Sequence, residues 1–176
     1  MGDEIISELS KLIGLKFQYG GRASNLFWLG FGEMISVKRK RETNEIAEYA
    51  LHIQCSWRIV KGNKIVVASR DFYSPRTGLD DENEYFEWDV QGNNRFDERI
   101  EFFVEGINEH TIVERVDSDE VGGLKIFLSQ GYLVEGFPDT SEDDEYSEFW
   151  RLFNRKEDSP HFVVTGNGTR NQWSHN

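Results

Sequence analysis

Apolar and polar residues alternate strictly over residues 49–60, and this is the clearest pattern in the chain. The positions on one side are mostly apolar: Tyr49, Leu51, Ile53, Cys55, Trp57 and Ile59. The positions between them are Ala50, His52, Gln54, Ser56, Arg58 and Val60. A period of two predicts a strand with one buried face. A second apolar run follows Gly62-Asn63, so the pattern predicts a β-hairpin over residues 49–73 that turns at these two residues.

The spacing of apolar residues also predicts the other elements. Helical spacing followed by Gly14 predicts an N-terminal helix over residues 3–13. Residues 25–32 are almost continuously apolar and bounded by glycine, which predicts a strand that continues over 34–37. Arg95–Gly106 is predicted as a second helix, with a β segment over 100–104 as the alternative. Further strands are predicted over residues 15–19, 111–116, 124–128, 132–137, 148–154 and 161–165. The strands over 124–128 and 132–137 are predicted to form a second hairpin that turns through residues 129–131.

Together these elements predict one α+β domain over residues 1–166. It consists mostly of antiparallel β-sheet with an N-terminal helix and, if 95–106 is helical, one further helix. Residues 74–94 are predicted to form a long polar loop, and residues 167–176 a polar C-terminal tail. Strands and helices do not alternate regularly, which disfavours a parallel, doubly wound sheet.

The charge of the chain narrows the classes of partner. Its 176 residues include 32 Asp and Glu against 20 Lys and Arg, a formal net charge of −12. Binding to nucleic acid depends on clustered cations, so nucleic acid is not the expected partner. A basic protein fits this charge better. No signal peptide and no apolar run of membrane-spanning length is found, so we expect a cytoplasmic protein that does not enter a membrane.

The polar side of the predicted hairpin is one candidate binding site. A turn at Gly62-Asn63 would place His52 opposite Tyr73 and Gln54 opposite Asp71. Such a face could hold a polar ligand, although antiparallel sheets commonly expose a polar side to solvent. The candidate ligand-binding residues of this face are His52, Gln54, Arg58, Asp71 and Tyr73. The loop residues Trp88, Gln91 and Asn93 are a further candidate, since they could stack on and hydrogen-bond a ligand or serve ordinary turn chemistry.

Two acidic segments are candidates for contact with a basic protein. One contains Asp80, Asp81 and Glu82, and the other contains Asp143 and Asp144. The alternative is that both are solvated surface. The basic run over residues 38–41 lies between two predicted strands and is predicted to be the solvated tip of a hairpin.

No arrangement of residues in the sequence indicates catalysis. Cys55 is the only cysteine and alternates with core positions, where a thiol behaves as a small hydrophobic group. The four histidines are scattered, and neither a metal-ligand spacing nor a phosphate-binding loop is present. We therefore predict no catalytic residue, no metal and no cofactor. A homo-oligomer is a separate hypothesis, in which exposed Trp28, Phe31 or Trp150 would pack across a two-fold axis.

Several segments carry a resemblance to a known family: residues 51–59, 69–73, 137–139, 149–153 and 161–166. Taken together they resemble a family of small bacterial cytosolic proteins of uncharacterised function, over most of residues 10–166. The resemblance implies no activity and no catalytic residue. As a small, acidic α+β protein the chain is also similar to toxin-immunity proteins, although it carries no motif that is diagnostic of them.

These observations predict a non-enzymatic cytosolic binding protein, with an immunity-type inhibitor of a basic protein as the specific form. The alternative is a small-molecule-binding protein or enzyme that uses the polar face of the 49–73 hairpin.

Overall fold

The predicted α+β class, mostly antiparallel sheet, is confirmed in the computed structural model, which describes residues 1–39, 42–79 and 86–173. Its helices are α1 (Gly2–Leu9) and α2 (Arg95–Gly106), together with short 3₁₀ helices at Ser10–Leu12, Ser69–Tyr73 and Ser129–Gly131. The first strands are β1 (Phe17–Ala23), β2 (Leu26–Arg39), β3 (Glu42–Ile53), β4 (Ser56–Lys61) and β5 (Lys64–Ala68). The later strands are β6 (Val113–Ser118), β7 (Leu124–Leu128), β8 (Tyr132–Phe137), β9 (Glu148–Asn154), β10 (His161–Thr165) and β11 (Gly168–Gln172).

The strands form two antiparallel sheets that share one hydrophobic core. The first sheet has the order β1-β2-β3-β9-β10-β11 and the second has the order β5-β4-β8-β7-β6. The bounds predicted for α2, β7, β8, β9 and β10 are confirmed. No helix of the described residues is long and apolar enough to span a membrane.

The prediction that residues 49–60 form one strand is wrong, because the chain leaves the first sheet after Ile53 and enters the second at Ser56. The backbone amides of Gln54 and Cys55 both donate to the carbonyl oxygen of Phe149, at 2.8 and 3.1 Å. The apolar side chains on either side of this crossing nevertheless face the same core. The alternation is therefore real, but it spans two strands of different sheets.

The turn predicted at Gly62-Asn63 is confirmed, whereas the predicted pairing beyond it is wrong. Lys61 pairs with Lys64, but a register shift then places Ile59 opposite Val67. Residues 69–73 form a 3₁₀ helix in place of a strand. The cause is local, since the Asp71 carboxylate accepts a hydrogen bond from the Ala68 amide at 2.8 Å and so closes a turn.

Two further predictions need correction at the edges of the first sheet. Strand β1 continues through Gly20-Gly21 to Ala23, although the prediction ended it at residue 19. Gly21 is required there because a Cβ atom would lie 2.3 Å from the ring of Trp28. The C-terminal residues were predicted to be a tail, but Gly168–Gln172 pairs with β10 as the edge strand β11.

The core is built around stacked and edge-to-face aromatic rings. Trp57 of the second sheet stacks on Phe27 of the first, with ring centroids 3.8 Å apart. Phe72 and Phe96 contact the same indole at 5.8 and 5.7 Å and join the 3₁₀ helix at 69–73 and α2 to the core. These contacts fix the position of the second sheet against the first.

Two of the aromatic residues assigned to an oligomer surface are buried. Phe31 and Trp150 have 0% exposure, and the Trp150 indole donates to the Gly122 carbonyl oxygen at 2.8 Å. Trp28 is half-buried and packs edge-on against Tyr19. That part of the oligomer hypothesis is wrong, since buried rings cannot meet a second copy.

A buried ion pair joins β1 to α2 and to the loop before it. The Arg22 guanidinium binds the Asp97 carboxylate through two hydrogen bonds of 2.8 and 2.9 Å. Arg22 also donates to the carbonyl oxygens of Asp89 and Val90, and Asp97 accepts from the Gly92 amide at 2.7 Å. Both charges are thus surrounded by hydrogen-bond partners, as a buried ion pair requires.

We expect Asp97→Ala to lower the free energy of unfolding by about 3–5 kcal/mol, because it leaves the buried Arg22 charge without a partner. Urea unfolding followed by circular dichroism measures this loss. Lys11→Ala is the matched control, since it breaks the exposed Lys11–Glu8 pair and should cost about 0–1 kcal/mol. Equal losses for the two variants would contradict the structural role of the buried pair.

Candidate functional site

The five residues predicted to form the polar hairpin face lie in four different places in the structure. His52 lies in the first sheet between Trp28 and Arg151. Arg58 lies in the second sheet and forms an ion pair with Glu135 at 2.6 Å. Asp71 caps the turn at Ala68. Only Gln54 and Tyr73 of the five come together, at a cleft beside the crossing between the sheets.

The predicted loop residues are engaged within the protein. Gln91 donates to the Asp97 carboxylate at 3.0 Å, and the Trp88 carbonyl oxygen accepts from the Asn94 side chain at 2.7 Å. The backbone of Asn93 pairs with Arg76. The conformation of this loop is thus explained by its contacts with the Arg22–Asp97 pair. That its residues bind a ligand stays a prediction.

The cleft beside the crossing has a volume of about 370 Å³. It lies where β3 gives way to β4, next to the 3₁₀ helix at 69–73 and the end of β8. Its walls are Asn25, Gln54, Cys55, Ser56, Trp57, Ser69, Arg70, Phe72, Tyr73 and Asp139. A concave surface with an exposed aromatic ring, here Tyr73, and several polar groups around it is typical of small-ligand sites.

Four polar side chains of this cleft make no hydrogen bond or ion pair within the described part of the chain: Asn25, Gln54, Arg70 and Tyr73. Asp139, by contrast, is positioned by Ser56, whose hydroxyl donates to its carboxylate at 2.5 Å and whose amide donates at 3.3 Å. The cleft therefore presents one fixed anion, one uncommitted cation and two uncommitted amides.

Cys55 lines the cleft but is not a nucleophile. Its side chain is 8% exposed, and burial, followed by the negative charge of Asp139, raises the pKa of the thiol to about 12. A thiol with this pKa is protonated at neutral pH, whereas a reactive cysteine needs a thiolate. The prediction of a core cysteine is confirmed.

A second candidate site is the exposed segment 139–146, which we call the acidic loop. All eight residues are exposed, and five of them carry carboxylates: Asp139, Glu142, Asp143, Asp144 and Glu145. The loop includes the predicted contact residues Asp143 and Asp144. The other predicted acidic residues, Asp80, Asp81 and Glu82, lie outside the described residues.

Hydrogen bonds within the acidic loop hold its backbone in one conformation. The Asp144 carboxylate accepts from the amides of Tyr146 and Ser147 at 2.7 and 2.8 Å, and these bonds lower its pKa. The Ser147 hydroxyl donates to Glu142 at 2.7 Å. The loop is thus ordered by its own carboxylates.

The acidic loop is also anchored to β10 and β11. Glu145 lies 3.7 Å from the Arg170 guanidinium of β11. At Gly166 a Cβ atom would lie 1.9 Å from the Glu142 carbonyl oxygen, so only glycine allows the loop to approach so closely. This glycine is the sequence feature on which the position of the loop depends.

His52 belongs to a cluster of aromatic and basic side chains on the first sheet. Its ring packs edge-on against Phe153, and Phe153 stacks on His161 at 4.0 Å. Burial, followed by the charges of Arg155 and Arg151, lowers the pKa of His52 to about 4. His52 is therefore neutral at physiological pH and is not a cation for ligand binding.

Comparisons of the chain with protein-family models, with curated proteins and with solved structures find no match. Within residues 1–39, 42–79 and 86–173, no three His, Cys, Asp or Glu side chains are grouped to hold a metal ion. The functional argument therefore rests on the geometry of the cleft and of the acidic loop.

Sequence reasoning missed several residues of these two sites. Asn25, Arg70 and Asp139 come to the cleft from three separate segments, and no local pattern signals their meeting. Tyr146 was also missed, although an aromatic residue inside an acidic run is an available signal. It is 84% exposed.

We expect protonation of His52 to destabilise the fold in acid. Because its pKa is about 4 in the folded state against 6.5 normally, the unfolded state binds more protons between these values. The free energy of unfolding should fall by about 2 kcal/mol from pH 6.5 to pH 4, after allowance for solvent screening at a half-buried ring. His52→Phe keeps the ring contact and should flatten this dependence in urea titrations. An unchanged slope would contradict the assignment.

We expect Gly166→Ala to destabilise the protein by about 1–3 kcal/mol, because the methyl group overlaps the Glu142 backbone and displaces the acidic loop. Thermal unfolding measures the loss. Gly106→Ala is the control, since its Cβ would meet nothing closer than the Tyr132 hydroxyl at 3.8 Å. A loss in the control as large as that of Gly166→Ala would contradict the argument.

Proposed function

We propose that this protein is a non-enzymatic binding protein that recognises a basic protein through its acidic loop. The observation that carries the proposal is the side chain of Tyr146, which is 84% exposed and is flanked by four exposed carboxylates at Glu142, Asp143, Asp144 and Glu145. A large aromatic side chain left in solvent costs hydrophobic free energy unless a partner covers it. Tyrosine is also enriched among the residues that dominate interface energy.

The surrounding charges support a cationic partner. With a net charge of −12, the protein attracts basic proteins over long distances and repels acidic ones. Carboxylates at the rim of an interface increase the association rate and determine which partner is accepted. The loop therefore combines an aromatic anchor with the charge that guides a basic surface to it.

The order of the loop supports binding for a second reason. Asp144 and Ser147 hold the backbone in place before any partner arrives. A loop that is already ordered loses little conformational entropy on binding, which leaves more of the contact energy as affinity.

The specific form that we propose is an immunity-type inhibitor in a bacterial cytosol, bound to a basic toxin. This form is supported by the acidity of the chain and by the resemblance described above. Inhibition would follow from covering the basic surface with which such a toxin meets its target.

Affinity capture from a bacterial lysate at low and high salt, followed by mass spectrometry, is the experiment that tests the proposal. We expect a basic protein to be retained at low salt and lost at high salt. Asp143→Lys/Asp144→Lys should weaken the purified complex about tenfold or more at low salt, and Tyr146→Ala should weaken it at both salt concentrations.

Glu101→Lys/Glu105→Lys is the matched control, since both residues are exposed on α2 and the change in net charge is the same. Equal weakening by the control would show that net charge alone drives binding, and the acidic loop would not be the site. An unchanged affinity of the Tyr146→Ala complex would show that Tyr146 is not an anchor of the interface.

A further inference from the structure

The cleft beside the crossing between the sheets is a second site, which shares only Asp139 with the acidic loop and lies outside the proposed function of that loop. Its volume of about 370 Å³ lies within the range of small-ligand pockets. It therefore fits a small molecule.

The charges of the cleft define the ligand class. Arg70 is the cation in its wall, and its guanidinium has no hydrogen-bond or ion-pair partner among the described residues. Asp139 is the anion, and Ser56 occupies only part of the hydrogen-bonding capacity of its two oxygens. A site with one available charge of each sign is complementary to a ligand that carries both signs.

The remaining walls indicate the body of the ligand. Tyr73 presents a ring that is 56% exposed, whereas Trp57 and Phe72 lie behind the cleft in the core at 1% and 2% exposure. The side-chain amides of Asn25 and Gln54 are uncommitted and can donate to a carboxylate or accept from an ammonium group. The exposed Tyr73 ring beside these polar groups suits an apolar or aromatic side chain.

We propose that this cleft binds a free α-amino acid with an apolar or aromatic side chain. Arg70 holds the carboxylate, Asp139 holds the ammonium group, and the side chain lies against the ring of Tyr73. Bidentate arginine–carboxylate pairing is the strongest hydrogen-bonding interaction available to such a ligand.

Titration of ¹⁵N-labelled protein with three probes tests the proposal: L-phenylalanine, 2-phenylethylamine, which lacks the carboxylate, and 3-phenylpropanoate, which lacks the amine. We expect millimolar L-phenylalanine to shift the amide signals of residues 54–57 and 69–73. Each single-charge probe should bind about tenfold or more weakly, since it loses one charged hydrogen-bonding group. Equal binding of all three probes, or no shift at these residues, would overturn the proposal.

Two variants test which charge of the cleft binds which charged group of the ligand. Arg70→Gln should weaken L-phenylalanine about tenfold and leave 2-phenylethylamine unchanged, whereas Asp139→Asn should weaken both. Asp139→Asn keeps an oxygen that can accept from Ser56, and circular dichroism confirms its fold. Lys64→Gln, at the exposed turn at the other end of β5, is the control and should change nothing. A loss in this control equal to that of Arg70→Gln would overturn the assignment of Arg70.

The proposal for the cleft and the proposal for the acidic loop can be tested independently of each other. Asp143→Lys should leave the L-phenylalanine titration unchanged, because Asp143 neither lines the cleft nor accepts any of the hydrogen bonds that hold the acidic loop. Loss of amino-acid binding in that variant would contradict a cleft that binds its ligand independently of the partner-binding carboxylates.

Discussion

The crossing at Gln54 and Cys55 is the constraint on which the rest of the structure depends. Here one chain leaves the first sheet and enters the second, and a single acceptor, the Phe149 carbonyl oxygen, binds both amides. The Phe27–Trp57 stack then holds the two sheets together just past this point. A crossing that separates two sheets must leave a gap beside it, and the cleft occupies that gap.

The same crossing shows what a sequence pattern can and cannot predict. Period-two alternation records which side chains are buried, and Ile53, Cys55 and Trp57 are buried as predicted. It does not record which strand lies alongside, because the partners are distant in sequence. The prediction therefore had the correct buried face but the wrong partners for His52 and Gln54. Short hairpins such as β7–β8 were predicted correctly because their partners are adjacent in sequence.

Strand β11 was missed for a different physical reason. Its residues, Gly168–Gln172, are polar and lie at the sheet edge, where a strand is held by backbone pairing and needs little apolar surface. The cleft could not be predicted for a related reason, since it is assembled from separate segments. The acidic loop could be predicted in part, because Asp143 and Asp144 are neighbours in the sequence. Its position depends on Gly166, however, and a single glycine in the sequence does not show which segment packs against it.

The polar side chains discussed above fall into two classes. Some are bound to one another in and beside the core, and others line the cleft without a partner among the described residues. Gln91 was predicted to bind a ligand, but its side chain donates to Asp97, which forms the buried ion pair with Arg22. Arg70, Gln54 and Asn25 lie at a cavity and have no such partners within the described residues. Polar groups that a fold needs are satisfied by that fold, since an unpaired buried group is destabilising. Arg70, Gln54 and Asn25 are exposed, so water satisfies their polar groups and they stay available to a ligand.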